Sequence, residues 1–375
     1  MAGDHSLGRG HCHSAVVLHS AGVLVKAPNG EASVALMHGG DLSKAARVFG
    51  IAKEQWIDLS TGISPWSWPV PEVPESVWKA LPDAGDGLES VAADYYGCDP
   101  GLLLAVPGSQ YALQHIPSHI DRGRVAIPVR GYGEHRVAWL KAGHEVVGYK
   151  NVGQLAQLVA TRDVKHAVVI NPNNPTGEMV GRQQLMAMQQ QLQSAGGWMI
   201  VDEAFIDALP GHSLVPECPL SGLVVLRSVG KFFGLAGLRL GFIMAPSTLL
   251  QTLVDHLPPW HVSHPARWAG KQALADTAWH QVQRQRLEVK ANTWWQILSE
   301  QFPELRLSVS PLFVSGAGEA DYCERLYQVL GQCGVLVRLF DEINGQRMLR
   351  FGLPGEEDLS KVMVVLKQAA GERIS

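Results

Sequence analysis

Between residues 102 and 245 short apolar runs alternate with stretches of helical period, and this alternation limits the fold more than any other feature. The runs are LLLAV (102–106), RVAIP (124–128), HEVVGY (144–149), HAVVI (166–170), WMIVD (198–202), LVVLR (223–227) and LRLGFIMA (238–245). Each is too short for a helix and apolar enough to be a strand buried on both faces. Helical segments are expected from near Gln110, around 133–142 and, rich in glutamine, over 181–195. The pattern predicts an α/β fold: a large domain built on a mostly parallel, mixed sheet with helices on both sides.

The pattern changes towards both ends. Helices are expected through about 246–299. After Phe302 the order reads strand, helix, strand, strand, helix: LRLSV, EADYCERLYQVL, GVLVRL, RMLRFGL and EEDLSKVMVVLKQA. This predicts a small α+β domain over 300–375, beside a large domain over 37–299 whose segment 37–80 contributes to the small domain and the active site. Residues 1–36, rich in glycine and histidine, are expected as a loose arm or a short strand pair. LSKAARVFG (42–50) predicts a helix stopped by Gly50. The proline-rich stretch 60–74, with Trp66 and Trp68, predicts ordered but irregular chain.

Composition excludes several classes. The 375 residues carry a formal net charge of −4, which offers no basic surface for nucleic acid. No run of about 18 apolar residues exists, so no transmembrane helix is expected. The apolar segment Ala15–Val25 is interrupted by His19, Ser20 and Gly22, and predicts no signal peptide. Cys12, Cys98, Cys218, Cys323 and Cys333 are odd in number and form no CxxC pair, the pattern of a reduced, cytoplasmic chain. The HCH triplet (His11–His13) lacks a second cluster to complete a tetrahedral site, so no metal is expected.

In open α/β sheets ligands sit beyond the carboxyl ends of the strands. Those ends carry PGSQ (Pro107–Gln110), VRGYGE (Val129–Glu134), NPNNPTG (Asn171–Gly177), the acid pair Asp202 and Glu203, and then Ser228–Lys231. All the unusual residues therefore fall on one edge. SVGKFFGLAGLRLGF (Ser228–Phe242) adds two cations, Lys231 and Arg239, within a glycine-rich apolar frame. Nucleotide motifs fail here. Val225 stands where a Walker A loop needs its first glycine, Phe232 follows Lys231, and no GxGxxG opens a helix after a strand.

NPNNPTG, VDEAF and SVGKFFGLAGLRLGF together resemble the fold-type I pyridoxal-phosphate enzymes, the aspartate aminotransferase superfamily. The resemblance implies pyridoxal 5'-phosphate as cofactor and a homodimer with sites at the subunit interface. It implies that Lys231 bonds the cofactor aldehyde, since an amine in a dry pocket can lose its proton. Arg239 would pair with the cofactor phosphate through its planar fork, with the Ser228 hydroxyl and the N–H groups of Gly108, Ser109 and Gln110 completing that site. Tyr132 would stack on the ring, Asp202 would hold the ring nitrogen protonated, and Asn174 would bond the 3-oxygen. Many relatives have tyrosine three residues after the aspartate; Phe205 stands there.

MHGGDLSKAARVFGI (Met37–Ile51), WIDLSTGISPWSWP (Trp56–Pro69), LPDAGDGLESVAADYYG (Leu81–Gly97) and DEAFID (Asp202–Asp207) are similar to L-threonine-O-3-phosphate decarboxylases of cobalamin biosynthesis. That resemblance implies a small phosphorylated amino-acid substrate. His38, Gly39 and Gly40 are its candidate contacts, though HGG reads equally as a flexible turn. Arg350 matches the family's carboxylate-binding arginine, and Arg338 and Arg347 are either phosphate partners or surface charges. The decarboxylases often carry asparagine where this chain has Gly62, with Ser64 at a second asparagine position. Sequence leaves decarboxylation and transamination both open. The alternatives are an aminotransferase of the histidinol-phosphate type and a non-catalytic binding protein of the same fold.

Overall fold

The computed structural model describes residues 24–26, 32–34, 39–218 and 221–371. The chain divides after His38 into two units. In the first, Leu24–Lys26 and Ala32–Val34 pair as a short antiparallel ladder, one of the two arrangements expected there. The HCH triplet and His38 lie outside the described residues.

In the second unit seven strands form the main sheet: β1 (Leu103–Val106), β2 (Arg124–Pro128), β3 (Glu145–Tyr149), β4 (His166–Ile170), β5 (Met199–Asp202), β6 (Leu223–Ser228) and β7 (Gly241–Met244). Their order is β1-β7-β6-β5-β4-β2-β3. Every neighbouring pair is parallel except those of β7, which runs antiparallel to β1 and β6. Period-two alternation sends Ile127, Val168, Ile200 and Leu226 into one core and Ala126, Val169, Val201 and Val225 into another. Both faces of these central strands are therefore buried, the reason they read as apolar runs. The connecting helices include α1 (Ser109–His115), α2 (Glu134–Lys141) and α3 (Arg182–Ser194).

One expected strand starts late. LRLGFIMA becomes extended only at Gly241, because Ala236–Leu238 form a single 3-10 turn and Arg239 takes left-handed backbone (φ 53°, ψ 47°). A residue in that region breaks the pleat. Gly241 then passes so close to α1 that a Cβ on it would stand 2.4 Å from the Ser109 nitrogen.

Towards the C-terminus α4 (Thr277–Gln301) leads into an antiparallel sheet of β8 (Arg306–Ser310), β9 (Phe313–Glu319), β10 (Arg338–Leu339) and β11 (Gln346–Gly352), ordered β8-β9-β11-β10. The strand β9 was not among those expected. Its Gly316 and Gly318 weaken the strand pattern, yet both are needed: Cβ atoms there would stand 2.8 Å from Leu305. GVLVRL divides between two sheets. Val335–Leu336 pairs in parallel with Ile57–Asp58, while β10 pairs with β11. The Gly352 N–H also donates to the Leu59 carbonyl at 2.7 Å, so residues 57–59 are laced to the C-terminal strands. Among the described residues no helix is long and apolar enough to cross a membrane.

Candidate active site

The carboxyl edge of the main sheet gathers the chemistry. Chain leaving β1 turns at Gly108 (φ 80°) into α1. A Cβ on Gly108 would stand 2.8 Å from Nη2 of Arg239, so only glycine lets that guanidinium reach the helix start. Ser228 faces Gly241 across the β6–β7 ladder. Gly108, Ser109, Ser228 and Arg239 thus converge at one corner, where Arg239 Nη1 also makes a 3.4 Å contact to the Ala236 carbonyl.

Tyr132 donates to Oε1 of Gln110 at 3.0 Å, and Gln110 Nε2 donates to Glu134 at 3.1 Å. Burial, with Glu134 and Asp202 nearby, pushes the Tyr132 phenol up to about 12. Asp202 ends β5, buried. Its Oδ2 lies 2.9 Å from Nε2 of His135, and its Oδ1 accepts the Ala204 N–H at 3.1 Å. His135, in the first turn of α2, went unnoticed in the sequence; the signal was a histidine three residues after Tyr132. Of the acid pair only Asp202 belongs to this edge. Glu203 accepts from Arg227, Ser213 and the Leu214 N–H, and Arg227 also grips Asp207, all of them buried.

Lys231 follows β6. Burial lowers its ammonium to about 8; Arg350 and Arg239 push the same way, and Asp202 opposes them. Its Nζ lies 5.5 Å from the centre of the Phe205 ring. Its carbonyl accepts the Ser64 N–H at 3.0 Å. The Ser64 hydroxyl is committed to the Trp66 backbone and to Gln283, so Ser64 anchors its own loop and offers no free group to a substrate.

Arg350, on β11, is buried. It donates through Nη1 to Oδ1 of Asn174 and through Nη2 to the Ser60 carbonyl, while its buried Nε has no partner. Because Asn174 accepts with its oxygen, its NH2 faces elsewhere. Burial, and then Arg338, lower Arg350 to about 9. Arg338 on β10 stands directly opposite Arg350 in the ladder, and both guanidiniums lie against Phe340, at 5.3 and 5.8 Å. Among the described residues neither has a carboxylate at ion-pair distance. Arg347, by contrast, falls on the other face of β11 by strand alternation and pairs with Glu324. Gly40 donates to the Ser60 hydroxyl at 2.7 Å. Gly39 packs so closely that a Cβ would meet the Ser60 carbonyl oxygen at 2.4 Å. Gly62 lies against Phe205.

A buried amine of lowered basicity, a carboxylate held by a buried histidine, and a glycine cradle against an arginine suit pyridoxal phosphate. They would respectively take its aldehyde, its ring nitrogen and its phosphate. The fold and this constellation define a class. Residues 56–364 match the model of the aminotransferase class I and II family, and the chain belongs to that family. It is 41% identical over 323 residues to a threonine-phosphate decarboxylase of Pseudomonas aeruginosa, covering 86% of this chain and 94% of that one. It is 42% identical over 246 residues to another from a Sinorhizobium species, covering 64% and 72%. Among solved structures, a histidinol-phosphate aminotransferase from Sinorhizobium meliloti in complex with pyridoxal-5'-phosphate superposes with TM-score 0.76 at 18% identity, covering 90% and 98%. An L-threonine-O-3-phosphate decarboxylase from Porphyromonas gingivalis does so with TM-score 0.68 at 18% identity, covering 84% and 99%.

Proposed function

We propose that this chain is a pyridoxal-phosphate-dependent decarboxylase that converts L-threonine O-3-phosphate to (R)-1-amino-2-propanol O-2-phosphate and carbon dioxide, a step of cobalamin biosynthesis. The observation that carries the reading is the Arg338–Arg350 pair. Like charges facing each other across a ladder cost stability, and among the described residues no carboxylate forms an ion pair with either, although Asp58 and Asp341 act on them from further off. A substrate bearing both a carboxylate and a phosphate would pair with both. The curated relatives named for this activity support the same substrate.

When bound, pyridoxal phosphate supplies an aldehyde that takes the substrate amine and a ring that accepts the electron pair left as carbon dioxide departs. The chain's own residues do the rest. Gly108, Ser109, Gln110, Ser228 and Arg239 would hold the phosphate, Tyr132 one ring face, and Asn174 the 3-oxygen through its free NH2. His135 keeps Asp202 aimed at the ring nitrogen. Arg350 would hold the substrate carboxylate, its Nε and remaining N–H hydrogens being available, and Arg338 the substrate phosphate. Gly39 and Gly40 border the carboxylate end through Ser60; His38 is assigned there from the resemblance alone. Lys231, its ammonium lowered to about 8, gives up a proton more readily than an ordinary lysine and can deliver one to Cα once carbon dioxide has gone. We further propose a cytoplasmic homodimer, and a boundary near residue 299 between a large and a small domain.

The test supplies cofactor-loaded protein with L-threonine O-3-phosphate and no keto acid. Catalytic release of carbon dioxide and the amino alcohol phosphate is expected. Turnover only with histidinol phosphate and 2-oxoglutarate would replace this reading with the aminotransferase one.

A further inference from the structure

Among the described residues Asp58 makes no hydrogen bond to the groups assigned to cofactor or substrate; its charge favours the Arg350 cation from a distance, and its hydrogen bonds converge on the residue that holds Arg350. Its Oδ1 accepts two hydrogen bonds from one residue, the Ser60 N–H at 2.8 Å and the Ser60 hydroxyl at 2.6 Å. This closes an Asx turn around Leu59. The turn is braced from both sides, since Leu59 N–H donates to the Leu336 carbonyl at 2.8 Å and the Leu59 carbonyl accepts from Gly352. Ser60, buried to 1% exposure, has two remaining functions. Its carbonyl accepts from Nη2 of Arg350, and its Oγ accepts the Gly40 N–H. The first contact depends on the orientation of the Ser60 backbone and the second on its side-chain rotamer, and Asp58 holds both.

We propose that Asp58 is a positioning residue for substrate carboxylate recognition: by locking Ser60 it fixes the rotamer of Arg350 and tethers the Gly39–Gly40 segment beside it. One carboxylate thereby sets two elements distant in sequence. The proposal rests on the reading of Arg350 as the carboxylate partner. An arginine whose fork is fixed before the ligand arrives loses less freedom on binding. Asp58 therefore acts on ligands that carry a carboxylate and not on those that lack one. The substrate and the amine product differ in that group, so they serve as matched probes.

The experiment uses cofactor-loaded enzyme and compares Asp58→Ala, Asp58→Asn and Arg350→Gln with the parent chain. It measures KM and kcat for L-threonine O-3-phosphate, and Kd for (R)-1-amino-2-propanol O-2-phosphate by calorimetry. Asp58→Ala is expected to raise KM about tenfold, the worth of a lost hydrogen bond to a charged partner, with product Kd changed less than about twofold. Asp58→Asn keeps an acceptor oxygen and is expected to stay within about threefold of the parent in KM. Equal weakening of both ligands by Asp58→Ala would mean a general structural role and overturns the proposal, as does no change in either. If Arg350→Gln is selective for the carboxylate ligand while Asp58→Ala is not, the positioning role fails and the Arg350 reading stands. If Arg350→Gln is itself unselective, both fall. Should Asp58→Ala not fold, Asp58→Leu, which keeps the bulk and removes the acceptor for both Ser60 groups, carries the test; selective loss supports the proposal, and equal or no loss overturns it.

Discussion

A Cβ on Gly62 would stand 2.7 Å from Cε1 of Phe205. Phe205 in turn meets Phe313 edge-on, with centroids 5.4 Å apart at 84°. Two of the three positions at which the sequence departs from its resemblance, glycine for asparagine at 62 and phenylalanine for tyrosine at 205, therefore belong to one packing arrangement. Gly62→Ala should lower unfolding stability by about 1–3 kcal/mol, the usual cost of overpacking. Phe205→Leu in the same chain should recover most of that. Urea denaturation of the two single variants and the double variant measures the coupling, and simple additivity would contradict it.

Lys231 titrates near 8 in the folded chain against an ordinary value of 10.5. Above about pH 8 the folded amine is neutral while the unfolded one still holds its proton. The unfolded state then binds more protons, so this group makes stability rise with pH between about 8 and 10.5. Arg350→Gln removes a repelling cation and should move the Lys231 titration upward. Rates of amine modification of cofactor-free protein across pH, read by peptide mass, will show the midpoint. A midpoint near 10 in the parent chain would contradict the dry pocket.

Removing the His135 ring leaves Oδ2 of buried Asp202 without its 2.9 Å partner. An unsatisfied buried acceptor costs about 1–3 kcal/mol. His135→Ala should weaken cofactor retention about tenfold, by analogy with outer-shell partners of bound groups. His135→Asn should lose less, because its amide can still donate. Retention after dialysis, followed by absorbance, distinguishes the two.

Arg227 lies between Glu203 and Asp207, and all three are buried. Arg227→Leu strands two carboxylates in the interior and should cost about 3–5 kcal/mol. Asp202 precedes Glu203 and Ser228 follows Arg227 in the chain, so a surviving variant should also hold cofactor less tightly. Thermal melting with and without added cofactor checks both effects.

The main sheet was legible because its central strands are buried on both faces and so write continuous apolar runs. The order of chemistry along its edge followed, since parallel strands deliver their carboxyl ends to one side. Lys231, Arg239, Asp202 and Asn174 were placed at that edge by the strand order, and the resemblance their motifs carry supplied their expected roles. β9 was not legible, because the glycines that let it pack on Leu305 erase the strand signature. The start of β7 was missed because the backbone of Arg239 is left-handed where it ends the Ala236–Leu238 turn.

Sequence by itself determined which side chains are present at the strand ends, because burial periodicity and turn chemistry are local. Only the tertiary structure decided which of them meet. Asp202 finds His135 across 67 residues, and Arg350 finds Ser60 across 290. Such contacts depend on how separate elements pack, and no local pattern encodes the distance between two faces brought together by a shared core.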